Sequence, residues 1–118
     1  MAKYMFLQYV DESAAPRPGS PEQVSEGEAY GKLFGEVSGA GILRGGDACR
    51  PSAEAFTVKV SGGQTSVTDG PMYSESPWLN GYWVLDCKDR DEAVAWAAKI
   101  PAAHGGGSVE VHPISEPQ

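Results

Sequence analysis

Two stretches of this chain are apolar on both sides of a β-strand, and that constrains the fold more than any motif. In Lys3–Val10, Met5, Leu7 and Tyr9 point one way, while Tyr4, Phe6, Gln8 and Val10 point the other. In Gly81–Cys87, Tyr82 and Val84 share a side with Asp86, opposite Trp83, Leu85 and Cys87. A strand of this kind belongs in a sheet that is covered on both faces.

The helix signals supply only one covering layer. Ser20-Pro21-Glu22-Gln23 is a helix start, with Ser as N-cap, Pro in the first turn and Gln at the capping-box position. That helix is expected to run to about Ser38 and to bury Tyr30, Leu33, Phe34 and Val37. Asp89-Arg90-Asp91-Glu92 opens a second helix with Ala93, Trp96, Ala97 and Ile100 inward, ended by Pro101. Gly27, Gly31, Gly35 and Gly39 recur every four residues along the first helix. Either something approaches that flank closely, or packing elsewhere tolerates a glycine-rich bias.

Between the helices, Gly41-Ile42-Leu43 opens a short strand that fades into Gly45-Gly46-Asp47. Phe56, Val58 and Val60 alternate with Thr57 and Lys59, the pattern of a half-buried strand. Ser61-Gly62-Gly63-Gln64 turns it into a hairpin that ends at Asp69. A last strand spans Ser108–Ile114, with Val109 and Val111 opposite Glu110 and His112.

The order strand, helix, strand, hairpin, strand, helix, strand is that of a ferredoxin-like α+β fold, βαββαβ, with the hairpin inserted. Its 118 residues make one domain, with residues 1–2 and 115–118 expected to fray. Two helices cover one face of such a sheet. The other needs a second copy of the chain, so a homodimer in which two open faces close a barrel-like core is expected.

Charge and cysteine usage narrow the function. With 9 Lys and Arg against 16 Asp and Glu, the net charge of -7 argues against nucleic acid and anionic membrane surfaces as partners. Cys49 and Cys87 stand in no metal spacing and read as reduced thiols. The first ten residues read as a strand and not a signal peptide, and no apolar run reaches membrane-spanning length. A soluble, cytoplasmic protein without cofactor or metal is expected.

The segment from Ser66 to Leu85 concentrates the functional signals. Asp69-Gly70-Pro71 is strong turn chemistry. The loop after it carries Met72, Tyr73 and Trp78, large side chains that a plain connector does not need. Beside a carboxylate, such a loop is a candidate binding wall or a turn packed on the core. The candidate chemical groups are Asp69, His112, Glu110, Tyr30 and His104. Imidazole is the side chain most often used to carry protons, and His112 faces away from Val109 and Val111, so it is a candidate proton carrier. Asp69 is a candidate base, or a turn-capping side chain.

Val67-Thr68-Asp69-Gly70-Pro71, Gly81-Tyr82-Trp83, Asp91-Glu92-Ala93, Trp96-Ala97 and Ser108-Val109-Glu110-Val111-His112-Pro113 together resemble the YCII-related family, in its DGPF subgroup. The resemblance runs from Tyr4 to Pro113 and implies a ferredoxin-like dimeric α+β barrel. Some relatives look like small acid–base enzymes. Other barrels of this shape include lactone isomerases and dehalogenating lyases, and many subgroup members accompany extracytoplasmic-function sigma factors. This chain departs from the subgroup in having Met72 for Phe, Ser74, Ser76 and Pro77 where charged residues are usual, and His112 for Arg.

Two functional readings follow. The first is a cofactor-free enzyme doing isomerisation, elimination or cyclisation on a small organic molecule. Asp69 or His112 would carry the proton, and Tyr82, Trp83 and Trp78 would wall the pocket. The second is a non-catalytic ligand sensor or accessory protein linked to sigma-factor regulation.

Overall fold

Antiparallel pairing decides the architecture of this chain, whose computed structural model describes residues 1–116. In chain order the main elements are β1 (Ala2–Val10), α1 (Pro21–Gly39), β2 (Leu43–Ala48), β3 (Phe56–Ser61), β4 (Gln64–Asp69), β5 (Trp78–Cys87), α2 (Arg90–Ala97) and β6 (Ser108–Pro113). Four strands form one sheet in the order β2-β5-β1-β6, and β3 pairs with β4 in a separate two-stranded sheet. This is the ferredoxin-like α+β arrangement with an inserted hairpin.

Both helices begin where their caps dictate. The Ser20 hydroxyl accepts a hydrogen bond from the Gln23 N–H at 3.2 Å, and Gln23 Oε1 accepts from the Gly19 N–H at 2.6 Å. The Asp89 carboxylate accepts from the Glu92 N–H at 2.9 Å. Each such cap satisfies backbone donors that the first helical turn leaves without a partner.

The strand register sorts the side chains. Phe6 lies opposite Trp83 on β5 and Val111 on β6, and Tyr4 lies opposite Leu85. Phe6, Leu85 and Cys87 therefore share the side that meets Leu33 and Val37 of α1, Ala93 of α2 and Ile100. Burying a Phe, Leu, Ile or Val side chain in this way is worth about 1.5–3 kcal/mol. The other side carries Met5, Leu7, Tyr82 and Val84, all partly buried, and among the described residues no helix lies over it.

Several sequence expectations need correction. β2 does not fade at Gly45-Gly46 but runs through the pair to Ala48, because β5 supplies its backbone partners. β5 begins at Trp78, three residues before the glycine expected to open it. The alternation in β3 is real, yet its apolar side is not half-buried: Phe56, Val58 and Val60 are exposed, and Val67 opposite Val58 is exposed with them. Periodicity reports which side chains share a face, not whether anything covers that face. The hairpin turn itself is as its residues require, with Gly62 and Gly63 both at positive φ, 57° and 77°. Phe34, assigned to the core stripe, is 56% exposed. Ala2 is already part of β1, and the expected frayed tail lies in part outside the described residues. Among the described residues no helix is long and apolar enough to cross a membrane.

The glycines of α1 face open space: a Cβ at Gly27, Gly31, Gly35 or Gly39 would meet nothing within 4 Å. Gly31→Ala and Gly35→Ala are therefore expected to stabilise the fold by about 0.8–1 kcal/mol each, read as a rise in urea midpoint. A loss of stability would mean that another surface packs against this flank. Gly46→Ala is expected to do the opposite, because its Cβ would lie 2.7 Å from the Tyr82 carbonyl oxygen.

Both cysteines are free thiols, Cys49 exposed and Cys87 buried. Burial pushes the Cys87 thiol up from 9.0 to about 11, helped by the carboxylates of Glu92, Asp86 and Asp89. Well below pH 9 the thiol is protonated whether the chain is folded or not, so it contributes no pH dependence there. Between about 9 and 11 the unfolded chain ionises first, and stability falls as pH rises. Urea titrations of wild type and Cys87→Ala across that window are expected to show a shallower slope for the variant.

Candidate functional site

A cavity of about 380 Å³ lies between α1 and the β2–β5 side of the sheet, within the size range of small-molecule sites. Its room comes from small residues. Gly46 sits opposite Trp83 in the ladder and Ala48 opposite Gly81, so three helix-side positions carry little or no side chain. Phe34 of α1, Leu43 of β2 and Trp83 of β5 form its apolar walls.

The floor is polar and built. Gln8 is the buried polar residue of β1, at 6% exposure, and an amide in such a place must be hydrogen-bonded. Its Oε1 accepts from the Trp83 indole N–H. Its Nε2 donates to Asn80 Oδ1 at 2.9 Å. Gly81 makes space for this amide, since a Cβ there would lie 3.1 Å from Gln8 Nε2 and 3.1 Å from the Asp47 carbonyl oxygen.

Asn80 reaches the floor through a β-bulge. Gln8 pairs with Gly81 and Tyr9 with Leu79, which leaves Asn80 as the extra residue of β5. Strict alternation from Gly81 would send Asn80 to the open side of the sheet. The bulge turns it to Gln8 instead, a use of bulges common beside functional sites. The backbone is held there by the Cys49 N–H, which donates to the Asn80 carbonyl at 2.8 Å. Tyr30 of α1 completes the group. Burial, then the Glu26 carboxylate, pushes its hydroxyl up, partly offset by the Ala102 backbone and the Gln8 side chain.

A second cavity adjoins this one, and a third adjoins the second. The second, of about 420 Å³, shares Tyr30 and Asn80 with the first and is lined also by Glu12, Glu26, Arg50 and His104. The third, of about 460 Å³, shares Cys49, Arg50 and Pro51 with the second and is walled by Met72, Tyr73 and Trp78 with Phe56 and Tyr9. The loop around that third cavity closes on itself, the Trp78 indole donating to the Tyr73 carbonyl at 2.9 Å.

The residues singled out from the sequence thus fall into separate places. Tyr30 and Trp83 line the first cavity, which Tyr82 also borders although its side chain stands on the open side and donates to Asp47; Met72, Tyr73 and Trp78 line the third. Asp69 ends β4 opposite Phe56, in the two-stranded sheet. His112 and Glu110 lie on edge strand β6, where His112 Nε2 and Glu110 Oε1 are 2.8 Å apart on the open side. Asp69, His112 and Glu110 line none of the three cavities. His104 is exposed, its ring against the Ala98 carbonyl at 2.8 Å. Among the described residues no cluster of three or more His, Cys, Asp or Glu is arranged to hold a metal. Gln8 and Asn80 were missed by sequence reasoning. Gln8 was visible as the polar break in the Tyr4-Phe6-Gln8-Val10 stripe, whereas nothing local announces a bulge at Asn80.

Fold and cavity together describe a small α+β domain with a ligand-sized cleft between its first helix and its sheet. The YCII-related domain matches residues 2–117, and the chain belongs to that family. An uncharacterised protein of Rhizobium meliloti (strain 1021) is 36% identical over 66 residues, which span 55% of this chain and 53% of that protein. The match thus spans about half the length of that relative.

The indole–amide link is expected to behave as a buried, mutually satisfied pair. Trp83→Phe should cost about 1–3 kcal/mol, because it leaves the Gln8 oxygen without its donor. Combining it with Gln8→Met should recover part of that loss in a double-mutant cycle of urea unfolding.

Proposed function

We propose that this protein is a homodimeric small-molecule-binding member of the DGPF subgroup, and that its ligand enters the cleft between α1 and the β2–β5 side of the sheet. The observation that carries this reading is the cleft's floor, a buried Gln8 amide held by Trp83 and Asn80 beneath about 380 Å³ of space. A core with no binding role has little use for a buried amide under an unfilled volume. The polar groups of that floor are neutral amides, an indole and a phenol. They suit holding and orienting a ligand better than proton transfer, and Asp69 and His112, on separate sheets, offer no converged pair.

Support for the homodimer comes from the open face of the four-stranded sheet. Its middle is apolar, with Met5, Leu7 and Val84. Around that middle stand ion pairs and polar pairs: Arg44–Asp86 at 2.8 Å, Tyr82–Asp47 at 3.0 Å and His112–Glu110 at 2.8 Å. An apolar centre within a polar rim is the usual anatomy of an interface, and a two-fold pairing would bury both copies at once. The cleft opens on the helix side, so this pairing leaves it accessible.

Two experiments test the reading. Wild type is expected to run as a dimer in light scattering at micromolar concentration, and Leu7→Glu with Val84→Glu as a monomer; a monomeric wild type would sink the dimer. In a fragment screen by heteronuclear NMR, binders are expected to move the Trp83 indole and Phe34 signals. Binders that move only Tyr73 and Trp78 would transfer the site to the loop cavity.

A further inference from the structure

We propose that Asn80 selects the ligand, by presenting its side-chain N–H donors to a neutral carbonyl-type acceptor carried on an apolar body. This rests on the cleft being the binding site and goes on to say what chemistry the cleft takes.

One member of the network has no freedom in its hydrogen-bonding role. An indole N–H donates and never accepts. Trp83 therefore forces Gln8 to turn its oxygen toward it, and so to turn its NH₂ the other way. That NH₂ meets Asn80, which must answer with an oxygen. Asn80 Oδ1 is thereby used, and its Nδ2 points away from Gln8. Three residues thus act as a relay that sets the orientation of the last amide. Reversing the Asn80 amide would set two NH₂ groups against each other, and reversing Gln8 would set an NH₂ against the indole N–H.

The bulge puts this amide where a ligand would meet it. Asn80 borders both the first cavity and the second, at the waist they share with Tyr30. Its Nδ2 makes no hydrogen bond to another described group. A ligand with an apolar body between Phe34, Leu43 and Trp83 would carry its acceptor toward that waist.

Charge sets the acceptor's kind. Asp11, Glu12 and Glu26 line the second cavity. The guanidinium on that wall, Arg50, is engaged by Glu54, its Nε donating to both carboxylate oxygens at 3.0 and 3.1 Å. A carboxylate ligand would approach three acids and a single guanidinium already paired with Glu54, whereas a ketone, ester or amide oxygen meets a donor without that repulsion. Neutral carbonyl compounds are the class that fits.

Three probes of one shape test this by NMR titration: indan-1-one, indane and indane-1-carboxylate. Indan-1-one is expected to move the Trp83 indole and Asn80 side-chain signals and to bind about five- to ten-fold tighter than indane, the worth of one hydrogen bond. The carboxylate is expected to bind more weakly than the ketone. Asn80→Asp keeps an oxygen for Gln8 but removes the donors, so the preference for the ketone over indane should vanish while indane still binds. Asn80→Ala provides the same comparison if the aspartate disturbs the floor. Equal binding of indan-1-one and indane at the cleft would overturn the role of Asn80 and leave the cleft as the site. Tighter binding of the carboxylate would overturn the neutral class. Cleft signals that move with other fragments but with none of these probes would also overturn the inference alone, and cleft signals that move with no fragment would remove the site itself.

Discussion

The pairing of β1 with β5 is the constraint on which the rest of the molecule depends. It sets Phe6 against Trp83 and Tyr4 against Leu85, and so decides which side of both strands the helices cover. A slip by one residue would turn every one of these side chains to the opposite face. The same pairing holds the one irregularity that matters for function. At the end where β1 passes from Gln8 to Tyr9, β5 carries one residue too many, and that residue is Asn80.

The cleft follows from what the sheet lacks as much as from what it carries. Interiors pack densely where side chains are available, but Gly46, Ala48 and Gly81 offer almost none on the helix side of β2 and β5. Phe34 remains exposed at the rim, and Gln8, Trp83 and Asn80 form a satisfied polar floor beneath it. Gly81 serves the floor twice. A side chain there would crowd both the Gln8 amide and the Asp47 backbone, so the space and the hydrogen bonds share one cause.

Much of the fold was legible in the residues. The caps at Ser20 and Asp89 sit where their side chains say they should, and the Gly62-Gly63 turn makes the hairpin it announces. The candidate site was legible in pieces. Trp83 and Tyr30 stand out in the sequence and share a cavity, and Met72, Tyr73 and Trp78 share another. What could not be read was that these are different cavities, or that Asp69 and His112 stand on separate sheets. Those are facts of long-range placement, and a side chain's chemistry carries no record of its distant neighbours.

The sequence alone determines the order of strands and helices, the caps and turns between them, and the two-sided apolar character of β1 and β5, because each rests on periodicity or on a few adjacent residues. The tertiary structure decides three further things. It carries β2 through its glycine pair, leaves the apolar side of β3 and β4 exposed, and turns Asn80 into the cleft. The first and the last depend on a partner strand many residues away, and the second on whether a distant element packs over that face. In the last case the deciding event is a single unmatched residue between two hydrogen-bonded strands, which no local pattern encodes.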